Sequence, residues 1–197
     1  MVHPDSELCY ISQKIGQGVV ATKLIPRGTI TWVADPLDQI LSPTRASHLP
    51  ALLQPSLHKY TYINGQGEAV LCWDHARFIN HSCEPSCLST GFDFEIAVRD
   101  ITPGDELTDE YGTLNLAEPL TCHCGSSQCR GVVRPDDVLR YADQWDRIVA
   151  DAFALIKTLD QPLWPLVAEK QQVEEVLRGG RPMPSCLRHY HRDGSGR

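Results

Sequence analysis

One stretch of eleven residues constrains this chain most: Arg77-Phe78-Ile79-Asn80-His81-Ser82-Cys83-Glu84-Pro85-Ser86-Cys87. It packs an amide, an imidazole and two thiols into a few positions. A polar segment follows, Gly104-Asp105-Glu106-Leu107-Thr108-Asp109-Glu110-Tyr111-Gly112, and then a tight cysteine cluster, Cys122-His123-Cys124-Gly125-Ser126-Ser127-Gln128-Cys129. Three thiolates so close in sequence can share one tetrahedral Zn²⁺ with bonds of about 2.3 Å. The fourth ligand must come from elsewhere, with Cys83, Cys87 and His123 as candidates. A catalytic zinc keeps an open position and draws more on His or carboxylate, so the metal reads as structural.

The cysteine count bears on the same point. Eight cysteines without a basic and apolar leader at the N-terminus fit a reducing compartment and a metal site better than a disulfide framework. No apolar run approaches the ~20 residues that span a bilayer. The formal net charge is -7, and the last twenty residues contribute +4, leaving -11 on residues 1–177. An acidic body argues against a broad nucleic-acid surface and suits a basic peptide or a cationic small molecule.

Residues 8–33 read as strands. The run Leu8–Ile11 is followed by Gly16-Gln17-Gly18, by Val19–Leu24, by the turn Pro26-Arg27-Gly28 and by the β-branched Thr29–Val33. Four prolines between 36 and 58 preclude long helices, and Ser42 or Thr44 can cap a short one. Lys59–Ile63 and Ala69–Trp73 read as strands joined by Asn64-Gly65-Gln66-Gly67. Phe92–Val98 alternates as a half-buried strand does. After Pro135 the pattern changes. Val138, Ala142, Trp145, Val149, Ala152, Ile156 and Leu159 form one stripe on a helix from Asp136 or Asp137 to near Asp160. A second helix is expected from Leu166 to Arg178, stopped by Gly179-Gly180. The stripe packs on its own chain or, alternatively, on a second copy in a homodimer. Residues 179–197 read as a disordered tail.

Taken singly, Gly16-Gln17-Gly18 is a tight turn, Asn80-His81 a structural pair and Tyr111 a core aromatic. In this order, however, Gly-x-Gly, Arg-Phe-Ile-Asn-His-Ser-Cys-x-Pro, Gly-Asp-Glu-Leu-Thr-x-x-Tyr-Gly and Cys-x-Cys-x4-Cys resemble the SET-domain methyltransferases with a post-SET zinc segment. The resemblance implies a mainly β fold of small curled sheets, a β-clip with pseudoknot-like threading, here with an α-helical C-terminal extension. It divides the chain into a SET domain at 8–117, a zinc knuckle at 118–134 and a helical extension at 135–178.

The resemblance also implies roles. Gln17 and Gly18 would offer backbone groups to S-adenosylmethionine, Asn80 and His81 would hold its amino-acid and adenosine parts, and Arg77 and Phe78 would shape the strand leading there. Tyr111 would place its hydroxyl where the amine meets the methyl group, with Tyr60, ahead of Tyr62, as a second channel aromatic. Cys83 would be the fourth zinc ligand, joining Cys122, Cys124 and Cys129, and Cys87 would stay free. The implied activity is methyl transfer to a lysine amine of a protein or peptide. Methylation of a small amine and a non-catalytic assembly module are the alternatives. The partners expected are a basic peptide substrate, no direct nucleic acid and no membrane, in the cytoplasm or, for a eukaryotic chain, the nucleus. Two positions depart from the family: Ser86 stands where Asn is usual, and Asp109-Glu110 where Phe-Asp is common. Asp109 would either widen or acidify the channel, or face solvent.

Overall fold

The structure, a computed structural model, describes residues 1–191. Strands β1 (Ser6–Ser12) and β2 (Gly16–Ala21) form an antiparallel hairpin. The apolar run in β1 lies on a sheet edge, so Leu8 and Tyr10 remain exposed. β3 (Ile30–Val33) and β4 (Gln39–Leu41) follow. Helix α1 (Pro43–Ser47) is capped by Ser42, whose Oγ accepts from Arg45 N–H at 3.3 Å. Helix α2 (Gln54–Tyr60) precedes β5 (Thr61–Ile63) and β6 (Ala69–Leu71). The strand expected from Lys59 therefore begins two residues later. Thr61 donates its Oγ–H to Leu57 O at 2.7 Å, and its N–H bonds the same carbonyl, which holds Lys59 and Tyr60 in the last helical turn.

The remaining strands are β7 (Asn80–His81), β8 (Cys87–Ser89), β9 (Phe94–Ala97), β10 (Glu106–Asp109), β11 (Leu120–Thr121) and β12 (Val132–Val133). They build small sheets in the orders β1-β2-β10-β7, β3-β9-β8 and β4-β6-β5, with β11 and β12 pairing across the cysteine cluster. β10 is the strand that matters for the site. Glu106 and Leu107 pair antiparallel with β2, and Thr108 and Asp109 pair parallel with Asn80 and His81. Thus two motifs nearly thirty residues apart lie side by side.

Helix α3 (Asp137–Phe153) ends earlier than its stripe predicts, and Ile156 is carried by a short 3₁₀ turn. The stripe is nonetheless buried within the chain. Val138, Ala142, Trp145, Val149, Ala152 and Ile156 share one core with Ile30, Val33, Leu88, Phe92, Phe94 and Ile96. This explains why β9, read as half-buried, is buried on both faces: one is covered by the sheets and the other by α3. It also makes the helical extension part of the same core as the strands. Gln161 pins the following segment, accepting from Ile30 N–H and donating to Gly28 O, at 2.8 and 2.9 Å. Helix α4 (Lys170–Leu177) is shorter than expected because Leu166 belongs to a separate 3₁₀ turn.

The expected tail from 179 is placed as far as 191. Cys186 is buried, and Asn115 donates to Ile63 O and His189 O while accepting from His191 N–H, each at 2.8 Å. Gly91, at φ +72°, lies so close to Pro184 and Ser185 that a Cβ would collide with their backbone. Residues 192–197 of the expected tail lie outside the described residues.

Candidate active site and cysteine knuckle

The cysteine knuckle is held between β11 and β12. The Sγ atoms of Cys83, Cys122, Cys124 and Cys129 all lie within 4.8 Å of one another. Cys83 Sγ is 3.7 Å from Cys122 Sγ, and a tetrahedron with 2.3 Å bonds has edges of about 3.8 Å. Four thiols this close cannot all ionise without a cation. Burial raises Cys83 and Cys122, while Cys124, opposed by burial, is drawn down to about 6 by backbone N–H groups of Cys83 and Ser126. This donor set fits a structural zinc. Of the other candidate ligands, Cys87 is fully buried in β8 and His123 lines the neighbouring cavity.

Beside the knuckle lies a cavity of about 360 Å³, lined by Ile11, Ile15, Asn80, His81, Ser82, Arg99, Asp105, Glu106, Thr108, His123 and Cys124. Asn80 enters it from β7. Its Nδ2 donates to Gln17 O at 2.9 Å and Glu106 Oε1 at 2.6 Å. Gly18 closes this cradle, since a Cβ there would collide with Glu106, Ile11 and Asn80. Gln17, Gly18, Asn80 and His81 are thus brought together. Arg77 and Phe78 are not part of the lining. Arg77 donates to Cys72 O and Trp73 O at 3.1 and 2.9 Å, and Phe78 packs edge-on against Tyr60 at 5.4 Å.

His81 turns its ring inward. Nε2 lies 3.3 Å from Cys83 Sγ, and Nδ1 lies 3.1 Å from Asp109 O and 3.2 Å from Tyr111 N. Burial lowers its pKa, against the attraction of Glu110, so the ring is held neutral. With Cys83 a thiolate, Nε2 carries the hydrogen and Nδ1 accepts from Tyr111 N–H. The imidazole therefore ties the knuckle to the Tyr111 turn, and the cavity is lined beside it.

Tyr111 opens the turn after β10. Its hydroxyl donates to Ile79 O at 2.7 Å, and burial, reinforced by Asp109, Glu106 and Glu95, raises its pKa. The phenol stays protonated, which leaves it a hydrogen-bond donor rather than a base. Two residues that the motifs left out fix this turn. Glu110, fully buried, caps Gly112 N–H at 2.9 Å and receives a two-pronged bond from Arg130 at 2.6 and 2.8 Å. Arg130 also lies 3.5 Å from Asp137 and over the rings of Tyr141 and Trp145, at 5.2 and 5.9 Å. Its position immediately after Cys129 was the available signal.

The departures from the family are both buried. Ser86 Oγ accepts from Thr108 N–H at 2.8 Å and donates to Glu106 O at 3.2 Å, stitching the stretch to β10. Asp109 does not face solvent: it is 3% exposed, its Oδ1 accepts from Glu110 N–H at 2.6 Å, and its charge acts on Glu95. Tyr60 makes no ring contact with Tyr111. Tyr62 instead packs edge-on against Trp32 at 6.0 Å, on the side of Glu95.

Residues 16–112 match the SET domain family model, and the chain is a SET-domain protein whose cysteine knuckle is compatible with a post-SET zinc site. A curated relative, histone-lysine N-methyltransferase ATX2 of Arabidopsis thaliana, is 43% identical over 65 residues, 29% of this chain and 6% of that protein. Histone-lysine N-methyltransferase Set2 of Drosophila melanogaster is 27% identical over 136 residues, 61% of this chain and again 6% of the relative. The chain thus spans a small fraction of the length of these proteins. Among solved structures, the methyltransferase domain of human histone-lysine N-methyltransferase SETMAR aligns with a TM-score of 0.45 at 20% identity, covering 68% of this chain and 58% of that one. No helix of the described residues is long and apolar enough to cross a membrane.

Proposed function

We propose that this chain is an S-adenosylmethionine-dependent protein-lysine N-methyltransferase. The observation that carries the reading is the parallel β7–β10 pair, which sets the Asn80-His81 cavity beside the turn bearing Tyr111. Gln17, Gly18, Asn80 and the cavity walls would hold the cofactor, which supplies a methyl group on a cationic sulfur. Tyr111 would orient the attacking amine through its hydroxyl, aided by the carbonyl of Ile79. Oxygen atoms fixed around the transferring carbon stabilise the dispersing positive charge, and positioning supplies much of the rate. The four thiolates would hold zinc as a structural clamp.

The relatives matched are named histone-lysine N-methyltransferases, and one from Schizosaccharomyces pombe is named H3 lysine-4 specific. A histone tail is therefore the substrate to try first, with action in the nucleus. The acidic body suits such a basic partner. Incubation with methyl-labelled cofactor and an H3 (1–15) peptide, and separately a host lysate, tests the proposal. Label is expected on a lysine. Tyr111→Phe is expected to lower transfer at least tenfold while leaving calorimetric cofactor affinity within about threefold. Absence of both label and cofactor binding overturns the reading.

A further inference from the structure

The C-terminal segment lies outside every motif that marks the site, yet it is tied to the Tyr111 turn. Asn115 stands shortly after Tyr111 at φ +53°, and among the described residues no other non-glycine has a left-handed backbone. Such a conformation persists where its surroundings hold it. Here both side-chain N–H groups and the oxygen are used. Nδ2 donates to Ile63 O and to His189 O, and Oδ1 accepts from His191 N–H, each at 2.8 Å. One amide thus joins the Tyr111 turn, the end of β5 and residues 189–191. The backbone repeats the first link, since Ile63 N–H donates to Leu114 O at 3.3 Å and Leu114 N–H to Tyr111 O at 3.0 Å.

The segment is seated in the fold rather than draped on its surface. Cys186 is buried, and its N–H donates to Asp146 Oδ1 at 2.9 Å. Arg188 makes a two-pronged bond to Glu169 at 3.0 and 3.2 Å, and His189 Nε2 lies 3.1 Å from Phe92 O. The floor beneath is bare backbone. A Cβ on Gly67 would collide with the His191 ring, and one on Gly91 with the carbonyls of Pro184 and Ser185. From β5 the contacts run back to the site. Tyr60, the residue before β5, packs edge-on against Phe78 at 5.4 Å, and the neighbouring Ile79 receives the Tyr111 hydroxyl at 2.7 Å. Tyr111, Asn115, β5, Tyr60, Phe78 and Ile79 therefore form a closed ring of contacts. None of its members lines the cavity beside the knuckle.

We propose that Asn115 is a positioning residue for methyl transfer, and that residues 184–191 are the clasp that holds it in place. This rests on the lysine reading above and deepens it. Ile79 O fixes the phenol of Tyr111 at its tip. Asn115 and Leu114 fix the backbone of the turn against β5. With the clasp seated, both supports are set, and the hydroxyl keeps one place for the arriving amine. With the clasp lifted, Asn115 loses its bonds to His189 and His191 and retains only Ile63, so the turn is freer to slide along β5. A misplacement of about 1 Å, even from a change far from the chemistry, can cost about 100-fold in rate. The cofactor is held as before, because its proposed walls belong to other residues.

Two full-length variants test this from opposite ends. Asn115→Gly accepts the left-handed backbone and removes only the side-chain bonds. Gly91→Ala leaves Asn115 intact and pushes Pro184 and Ser185 from their seat. The first readout is trypsin cleavage after Arg188, followed by mass spectrometry. The second is steady-state transfer from methyl-labelled S-adenosylmethionine to the probe that wild type labels, the H3 (1–15) peptide or lysate protein. Each variant is expected to be cleaved at least about tenfold faster, as the open population rises. Each is expected to lose at least about fivefold in kcat, while calorimetric affinity for the demethylated cofactor stays within about threefold. The double variant should lose no more kcat than the poorer single one, since both changes act through one device. Circular dichroism checks folding, and either folded variant suffices. Unchanged kcat in a folded variant, with or without faster cleavage, overturns the inference and leaves the methyltransferase reading intact, because a clasp that serves stability alone behaves so. A loss of cofactor affinity that matches the loss of kcat also overturns it. A wild-type chain that neither labels a lysine nor binds cofactor overturns the reading on which it rests.

Discussion

Ser86 and Asp109 show how much a single side chain can carry here. Ser86 reaches across 22 positions of sequence to satisfy the N–H of Thr108. Ser86→Ala leaves that buried donor without a partner, and should cost about 1–3 kcal/mol, measurable as a lower denaturant midpoint at unchanged slope. The local sequence foretells only a hydroxyl with a short reach. Its partner lies on another strand, and nothing in residues 80–90 names it. Asp109 is similar. A carboxylate in a polar segment reads equally well as solvated or as part of a channel, and only the placement of Glu95 on β9 decides. By contrast Asn80, Cys83 and Tyr111 were legible, because their residue types recur at fixed spacing within long motifs. Arg77 and Phe78 belong to the same motif, yet their side chains serve Trp73 and Tyr60 rather than the cavity.

At the scale of elements, the knuckle, the Tyr111 turn and α3 meet at one guanidinium. Arg130 joins Glu110 of the turn to Asp137 of α3, and its own N–H points at Cys83 Sγ from 3.3 Å. Removing it strands Glu110 as a buried charge. Arg130→Ala should therefore destabilise by about 3–5 kcal/mol, read by thermal unfolding alongside zinc content, with Arg130→Lys recovering part of the loss. Metal analysis of the purified chain should find about one zinc, and a strong chelator should lower the melting temperature. The helical stripe of α3 was readable from its period of three and four. Its length was not, since the turn that carries Ile156 is fixed by packing against the sheets. The half-buried reading of β9 failed for the same reason: alternation records which side chains are polar, and Glu95 is polar yet enclosed.

For the whole molecule, buried ionisable groups predict a limited pH range of stability. Asp109 is raised from 3.8 to about 7, first by burial. Its protonated form is the native one, so folding takes up protons, and stability falls as pH rises from about 4 to about 7. His3 and His189 are lowered below 6.5 by burial, so they stabilise above that pH and lose this as pH falls through it. Below about pH 7 the two contributions oppose each other, so Asp109→Asn should remove the fall between about pH 4 and 7 and leave the histidine loss on acidification exposed, which a pH series of thermal melts would show. The C-terminal clasp at Asn115 was hidden from sequence, because Gly- and Arg-rich composition carries no record of the carbonyls that receive it.

The wall of the proposed cofactor cavity has one further consequence. Asp105, Glu106 and the thiolate of Cys124 outweigh Arg99 around that space. A methyl donor arrives as a sulfonium cation and departs as a neutral thioether. An acidic wall grips the first more than the second, so the spent molecule is released with less competition against its replacement. Exposed charges are screened over a Debye length of about 8 Å at physiological salt. Added salt should accordingly weaken the fresh donor more than the spent one, and product inhibition should deepen as ionic strength rises.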